Sequence, residues 1–373
     1  MKFHIRSSAS PARSVPAALA VLVLVGASCV AQAQVTPAAG STPPDDTPSV
    51  KVGGTLFVDY TYQSEPKATN AAGTYNPSTF EVGRAYINII GDINHLFSYR
   101  ITPDIKQENT ATADIKGSYV VRMKYAFGQL NLDDWLVKGS WVRLGLQQTP
   151  YIDFQEGIYR YRFQGPIFVD REGYLTSSDS GLSSRFTFPG NYGDVHFGYY
   201  NGDGYSKAEA NNEKAVQIRA SLRPAPMAPG VKGLRITAFY DKDAPISGGA
   251  RDRLVGDVTF EHSRVNAGLE VLDAKDQASS VDAEVKSSGW SAWATPRLPH
   301  GWEILLRYDD LKPNKDTDET KKRTVAGVAY WPKVLKGVST AFLLDYEQVK
   351  YDGYPTTNPA DEKRYALHAL FNF

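Results

Sequence analysis

The chain ends on the stretch KRYALHALFNF, residues 363–373. Bulky apolar side chains recur at every second position, from Tyr365 through Leu367 and Phe371 to the terminal Phe373, whereas Arg364 and His368 share the opposite face. A two-residue period predicts a β-strand rather than a helix. An ordinary buried edge strand is the alternative, but a soluble β-sandwich has no reason to end its last strand on an outward phenylalanine. The stretch therefore favours the last strand of a closed barrel.

The same alternation runs along the start of the predicted domain. In residues 50–62, valine, leucine and tyrosine share one face, and lysine, threonine and aspartate share the other, with Phe57 as the one interruption. In residues 118–127, Tyr119, Val121, Met123, Tyr125 and Phe127 oppose Ser118, Arg122 and Lys124. A helix would mix these two sets on every side. The first and last strands have matching patterns, so they could pair and close the barrel.

Between these ends, further two-residue periods bring the count to about 16 strands. The connections alternate in character: residues 189–191, 262–264, 298–300 and 331–333 are tight, whereas residues 203–213, 273–286, 312–322 and 352–362 are long and polar. Short turns at one rim and long loops at the other are typical of outer-membrane barrels. The sequence thus predicts an all-β fold, a transmembrane antiparallel β-barrel of about 16 strands.

The N-terminus has the features of an export signal. Lys2, Arg6 and Arg13 precede the apolar residues 16–27, and Ala31-Gln32-Ala33 has the small-x-small form of a cleavage site. We predict a signal peptide over residues 1–33, a flexible leader over 34–49 and the outer-membrane barrel over 50–373. A lipoprotein reading would use Cys29, but Gly26 stands where its recognition sequence prefers Leu or Val.

Cleavage after residue 33 excludes several classes of protein. It removes Cys29, the only cysteine, and leaves 38 lysines and arginines against 41 acidic residues, so nothing indicates a nucleic-acid binder. No later segment has the 18 or so continuous apolar residues that a spanning helix needs. Asp179-Ser180-Gly181 lacks the glycine that a serine-protease motif would need before it, and the histidines have no metal-ligand spacing. We expect no enzyme activity, no cofactor and no metal.

Four features of the sequence carry a resemblance to a known family. They are Phe-Glu-Val-Gly-Arg-Ala-Tyr at residues 80–86, Gly-Leu-Gln-Gln-Thr-Pro-Tyr at 145–151, Tyr-Asn-Gly-Asp-Gly-Tyr at 200–205, and the terminal phenylalanine. Together they resemble the phosphate-selective porin O/P family over most of residues 50–373. The resemblance implies a sixteen-stranded homotrimer in outer-membrane lipid, an inward-folded third loop, and basic residues on the inner wall that conduct anions. By position, residues 151–181 are the third loop.

The candidate functional residues are cations expected inside the barrel. If the apolar face of each strand meets lipid, the opposite face lines an aqueous lumen. On the lumen face in the first half of the chain we place Arg100, Arg122, Lys124, Arg143 and Arg185. In the third loop, Tyr159-Arg160-Tyr161-Arg162-Phe163 predicts aromatic side chains on the barrel wall and Arg160 and Arg162 in the pore, with Arg171 beside them. Several weak cationic sites in series would let an anion bind and leave again.

Nearby carboxylates leave an alternative open. Five acidic residues occupy the same loop segment, so its arginines could be paired internally, and the wall cations could pair with loop carboxylates instead of meeting anions. Later lumen positions also carry both signs, which predicts modest selectivity. The acidic ones are Asp257, Glu261, Glu270, Glu303, Asp345 and Glu347, and the basic ones are Arg219, Arg235, Arg253, Arg307 and Arg364.

The sequence hypothesis is therefore an outer-membrane porin for passive diffusion of small hydrophilic solutes, with a mild preference for anions such as phosphate. A general or carbohydrate-type porin without anion preference is the first alternative. The second is a soluble secreted β-rich binding protein, whose apolar faces would be buried in a core instead of facing lipid.

Overall fold

The structure, a computed structural model, describes residues 46–110, 114–209, 211–244 and 248–373. The predicted signal peptide, residues 1–33, lies outside the described residues, as does most of the predicted leader at 34–49. The first strand begins at Ser49, one residue before the predicted start of the barrel.

Sixteen antiparallel strands of the described chain form one closed barrel, as the alternation predicts. The first half consists of β1 (Ser49–Glu65), β4 (Ser78–Asp92), β5 (Phe97–Gln107), β6 (Tyr119–Asn131), β7 (Trp141–Gln148), β8 (Ser178–Thr187), β9 (Gly193–Tyr200) and β10 (Ala215–Leu222). The second half consists of β11 (Leu234–Asp243), β12 (Ala250–His262), β13 (Val265–Gln277), β14 (Val285–Pro296), β15 (Trp302–Lys312), β16 (Thr320–Tyr330), β17 (Ser339–Asp352) and β18 (Glu362–Asn372). A small hairpin, β2 (Ala68–Asn70) and β3 (Gly73–Tyr75), lies between β1 and β4.

The barrel wall is apolar outside, and its inner face carries polar residues together with a buried apolar cluster that packs against residues 151–169. In β10, Gln217, Arg219 and Ser221 are buried, whereas the alternate positions Val216 and Ile218 are exposed. Elsewhere on the outer surface, Val52, Leu144 and Leu344 are 70%, 67% and 63% exposed. A water-soluble protein would bury these side chains, whereas a barrel in lipid turns them outward. These outward apolar faces contradict the soluble alternative, in which the apolar faces of the strands would be buried.

The connections differ between the two rims, broadly as predicted. One rim carries the turns at 93–96, 188–192, 263–264 and 297–301, and the other carries the longer connections at 66–77, 149–177, 201–214 and 353–361. The connections predicted at 273–286 and 312–322 are shorter in the structure, because β13 continues to Gln277 and β15 continues to Lys312. Polar residues occupy both faces of these strand ends, so the alternation disappears from the sequence before the strand stops. The prediction of a tight turn at 331–333 is wrong, because β17 begins only at Ser339 and the connection on the short-turn rim covers residues 331–338.

A β-bulge in β6 changes which side chains point inward. The register of β5 against β6 shifts between Thr102 and Pro103, and Lys124 has no partner there. Beyond the bulge the inward parity moves by one residue. Lys124 and the next residue, Tyr125, are consequently both buried, and so is Phe127. The prediction that Tyr125 and Phe127 share the lipid face of Tyr119 and Val121 is wrong for this reason.

The barrel closes where the chain ends. β18 pairs with β1, and the backbone of Phe373 exchanges two hydrogen bonds with Gly54, of 2.8 Å and 3.0 Å. The Phe373 ring lies over Gly54 so closely that a Cβ atom at residue 54 would stand 2.5 Å from it. The terminal phenylalanine, 67% exposed, is therefore held on the outer surface by a position without a side chain.

Aromatic side chains pair on the outer surface near both rims. The ring centroids of Trp302 and Tyr330 are 5.0 Å apart near the short-turn rim, and those of Tyr346 and Tyr365 are 5.2 Å apart in the half of the wall nearer the long loops. Such positions suit the two levels where lipid meets water. Trp331, next to Tyr330 in the chain, instead points inward and donates a hydrogen bond to Tyr161 Oη.

Candidate functional site

The third long connection, residues 149–177, folds into the barrel, and we call it loop 3. It contains α1 (Ile152–Tyr159) and α2 (Phe168–Arg171), and it matches the predicted segment 151–181 apart from four residues that belong to β8. Its apolar residues Tyr151, Ile152 and Val169 are completely buried.

No helix in the described part of the chain is long and apolar enough to span a membrane.

Polar bonds fasten loop 3 to the wall formed by the second half of the strands. Tyr151 Oη donates to Glu270 at 2.8 Å, and Gln155 Nε2 donates to Asp257 at 3.0 Å. Further along, Tyr161 Oη donates to Glu303 at 3.0 Å. A buried polar group that lost its partner would be costly, so these bonds to acidic residues of the wall anchor the loop.

Aromatic packing supports the same attachment. Tyr159 packs edge-on against Trp293 with ring centroids 5.1 Å apart, and Trp331 meets both Tyr161 and Phe163 at 5.8 Å. The prediction that the aromatic residues of Tyr159-Arg160-Tyr161-Arg162-Phe163 lie on the barrel wall is thus confirmed.

Because loop 3 lies against one wall, an open space remains between it and the opposite wall, and we call this space the opening. It measures about 450 Å³. The residues on its wall side include Phe57, Tyr86, Asn88, Arg100, Thr102, Lys124, Tyr125 and Leu370, from β1, β4, β5, β6 and β18. Those on its loop side include Asp153, Glu156, Arg160, Arg162 and Phe163.

Three predicted wall cations contact only neutral groups. Arg100 donates to Thr102 at 3.0 Å and to Asn88 at 2.8 Å, and its guanidinium stands 4.5 Å from the centre of the Tyr125 ring. Arg143 donates to two glutamine side chains and stacks on Trp141 at 3.8 Å. No carboxylate oxygen of the described residues lies within 4.0 Å of the charged nitrogens of Arg100, Lys124 or Arg143.

The other two predicted wall cations are paired. Arg122 Nε lies 2.8 Å from Asp104, whose carboxylate also receives Arg84 at 3.1 Å, and the Arg122 guanidinium stacks on Tyr205. Arg185 lies 2.5 Å from Asp194. Arg122 and Arg185 are therefore ion-paired, but with carboxylates of β5 and β9 rather than with the loop carboxylates that the alternative named.

All three predicted loop arginines are also paired. Arg160 Nη1 lies 3.3 Å from Glu303 on the wall, and Arg162 Nε lies 2.8 Å from Glu156 within the loop. Arg171 does not lie with them, because it is nearly buried on the wall side of the loop with its Nη1 3.0 Å from Glu347. The structure thus brings Arg100, Lys124, Arg160 and Arg162 to the opening and leaves Arg171 outside it.

Two loop carboxylates face the wall cations. Asp153 Oδ2 accepts a hydrogen bond of 2.7 Å from Tyr125 Oη. Burial raises the pKa of Glu156 to about 7, although Arg162 and Lys124 act against this shift. Burial also raises the pKa of Asp170 above its usual value. Carboxylates on the loop opposite cations on the wall create a field across the opening.

The mixed charges of the second half of the barrel largely neutralise each other. Arg307 pairs with Asp309 at 2.8 Å, and Arg235 pairs with Glu261 at 3.2 Å. Glu347 contacts Arg171, Arg323 and Arg364. This part of the lumen serves as the support of loop 3, so most of the acidic residues that we expected to dilute anion preference do not line the opening.

The sequence did not identify the neutral lining of the opening. Phe57, which interrupts the polar face of β1, is buried against Tyr86 with ring centroids 6.1 Å apart, and that interruption was a usable signal. Tyr125 gave no such signal, because the bulge that turns it inward leaves no trace in the hydrophobic pattern.

Comparisons with known proteins relate the chain to outer-membrane barrels. No protein-family model and no curated protein matches the sequence. Among solved structures, the chain is similar to an anion-selective porin from Comamonas acidovorans, with 13% identity, a TM-score of 0.59, and 88% of this chain and 100% of that chain covered.

It is also similar to the outer-membrane channel DcaP of Acinetobacter baumannii (12% identity, TM-score 0.59, 87% and 97% covered) and to the trimer form of the outer-membrane protein OmpT of Vibrio cholerae (12%, 0.57, 88% and 100%). At these identities the likeness establishes the fold: a closed sixteen-stranded barrel of the outer-membrane type.

Proposed function

We propose that this chain is an outer-membrane porin through which small hydrophilic solutes diffuse passively, with a mild preference for small anions such as phosphate. The barrel has an apolar exterior for lipid and a charged interior, and its fold is that of proteins described as porins and channels. Passive diffusion requires neither a cofactor nor a source of energy, and we expect no catalysis.

The observation that carries the anion preference is the absence of carboxylate partners, within the described chain, for Arg100, Lys124 and Arg143. A cation that is already paired offers little net charge to a passing ion, whereas these three retain theirs. Their contacts with amides, hydroxyls and rings hold them in place without neutralising them. Arg160 and Arg162, each with a carboxylate close by, are proposed to contribute less.

The field across the opening supports only a mild preference. Asp153 and Glu156 on loop 3 stand opposite the wall cations and reduce the net positive charge of the opening. A dipolar solute would turn to align with this field while an anion passes along the wall side. We infer modest selectivity rather than exclusion of cations.

The remaining proposals concern export and assembly. We propose that residues 1–33 direct export and are cleaved, that residues 34–49 form a leader, and that the barrel works in outer-membrane lipid as a homotrimer. The trimer proposal is supported by the trimer form of OmpT among the similar structures.

Solute uptake by proteoliposomes tests the proposed function. Phosphate, glucose and choline at equal concentration are compared for their rate of entry, with protein-free liposomes as the control. We expect all three to enter only with the protein, in the order phosphate, glucose, choline. Equal rates for phosphate and choline, with glucose entering readily, would support the general or carbohydrate-type porin instead. Absence of uptake would contradict a porin.

A further inference from the structure

Three apolar side chains interrupt the otherwise polar and charged lining of the opening. Phe57 and Leu370 from the wall and Phe163 from loop 3 border the same space as Arg100 and Lys124. Phe57 and Leu370 both point inward, on strands whose other inward residues are mostly polar. The opening thus combines unneutralised cations with small apolar surfaces, since these three side chains are 4–9% exposed.

Arg100 and Lys124 each lie over the face of a tyrosine ring. Lys124 Nζ stands 4.7 Å from the centre of the Tyr86 ring, and the Arg100 guanidinium stands 4.5 Å from that of Tyr125. Arg100 uses Nε and Nη2 for its bonds to Thr102 and Asn88, so within the described residues Nη1 makes no hydrogen bond. Hydrogen-bond donors of Arg100 and Lys124 therefore remain available to a solute next to the two tyrosine rings.

We infer that the anions best suited to this opening are organic carboxylates with an apolar ring, such as an aromatic monocarboxylate, rather than inorganic phosphate. This inference rests on the proposed function and names the class of solute for the same site. A carboxylate would receive hydrogen bonds from Arg100 and Lys124 while its ring contacts Phe57, Leu370 or Phe163.

Two physical arguments support this assignment. Phosphate has no apolar surface, so contact with Phe57 and Leu370 would remove part of its hydration shell without a compensating interaction. An apolar ring instead lowers its free energy when it leaves water. Ring-to-ring contacts add to this gain beyond the burial of area. The opening of about 450 Å³ falls in the range of sites that hold small organic molecules.

Block of ion current in a planar bilayer provides the test. Benzoate, acetate and phosphate are added at equal ionic strength to the full-length mature protein conducting KCl. Acetate is the matched probe, because it has the carboxylate without the ring. We expect benzoate to halve the chloride current at a concentration about three- to tenfold lower than acetate or phosphate, the factor that one aromatic contact supplies.

Variants at one position separate the ring contact from the charge. Phe57→Asn should bring the half-blocking concentration of benzoate close to that of acetate, whereas Phe57→Leu, which keeps an apolar side chain, should retain most of the difference. Leu370→Asn is the second variant if Phe57→Asn does not fold. Lys124→Gln should weaken block by all three anions.

The outcomes for the inference and for the proposed function are distinguishable. Equal block by benzoate and acetate, with a current that still favours anions, overturns the ring-bearing carboxylate and leaves the porin proposal standing. Block by phosphate at the lowest concentration overturns it as well. A current that favours cations overturns the proposed anion preference, and the inference with it.

Discussion

Lys124 Nζ stands 4.7 Å from the centre of the Tyr86 ring and 3.4 Å from the Tyr86 hydroxyl oxygen. An aromatic ring attracts a cation through its quadrupole, by about 0.5–2 kcal/mol depending on exposure, without carrying a charge of its own. The ring can therefore position Lys124 and leave its positive charge uncompensated. The bulge in β6 makes this possible, because it places Lys124 at an unpaired position of the strand.

Replacement of Lys124 should reduce anion preference. Lys124→Gln removes a positive charge that no carboxylate of the described residues offsets, so the reversal potential under a salt gradient should move toward zero. Lys363→Gln is the control, since Lys363 pairs with Glu65 and stands at the start of β18, away from the opening. We expect no shift for Lys363→Gln. Equal shifts for the two variants would show that position does not matter.

Anion preference should depend on pH through Glu156. The pKa of this carboxyl, about 7, means that it is neutral below pH 7 and ionised above. The opening gains a negative charge as pH rises, so anion preference should fall between about pH 6 and about pH 8. Glu156→Gln should abolish this dependence, whereas Asp316→Asn, in the connection 313–319 on the long-loop rim, should preserve it. A reversal potential independent of pH in the unmodified protein would contradict this prediction.

The same raised pKa should lower stability at higher pH. In the unfolded chain Glu156 ionises near 4.5, and in the folded chain it ionises near 7. Between these values ionisation favours the unfolded chain, so the contribution of this group to stability is greatest below 4.5 and falls as pH rises to 7. The thermal unfolding midpoint of Glu156→Gln should therefore change less over this window than that of the unmodified protein. If the unfolding midpoints of the two proteins changed equally with pH, Glu156 would have no such effect.

Loss of the Glu347 carboxylate should loosen loop 3. Glu347 accepts a hydrogen bond from Gln164 at 3.0 Å and lies 3.0 Å from Arg171, both in the loop, while it also contacts Arg323 and Arg364 on the wall. Removing one member of a buried ionic network costs about 3–5 kcal/mol. Glu347→Gln should lower the thermal unfolding midpoint and increase fluctuations of the single-channel current. Glu81→Gln, at a lumen position without an ion pair in the described residues, should do neither.

A side chain at residue 54 should disturb closure of the barrel. A Cβ atom there would stand 2.5 Å from the Phe373 ring, so Gly54→Val must displace the ring, and overpacking of this kind typically costs about 1–3 kcal/mol. Gly128→Val is the matched control, because Gly128 also faces outward and has open space around it. The temperature at which the folded band disappears on a gel should fall for Gly54→Val only. A similar fall in this temperature for both variants would show that the contact with the Phe373 ring is not the cause.

The fold could be predicted from the sequence because lipid imposes a strict rule on each strand. Where one face meets hydrocarbon and the other meets water, as in β10, the alternation of residues specifies the strand and its orientation together. Strand ends beyond the membrane are free of this rule, which is why β13 and β15 extend further than expected. The bulge at Lys124 was also unpredictable, since it changes parity without changing composition.

The site was predictable in position but not in partners. Sequence placed Arg100, Lys124 and Arg143 on the lumen face, and the structure has them there. Which cations stay unpaired depends on contacts between residues far apart in the chain, such as Arg171 with Glu347, and on the path of loop 3. Periodicity carries no information about such contacts.

The reversal potential of the unmodified protein in a planar bilayer, under a KCl gradient at neutral pH, tests the central claim most directly. An opening lined by Arg100 and Lys124 without carboxylate partners, with Arg143 also unpaired on the lumen face, predicts that the current reverses on the anion side, by a modest amount. Reversal on the cation side would contradict the account, because it would mean that Asp153 and Glu156 outweigh Arg100, Lys124 and Arg143.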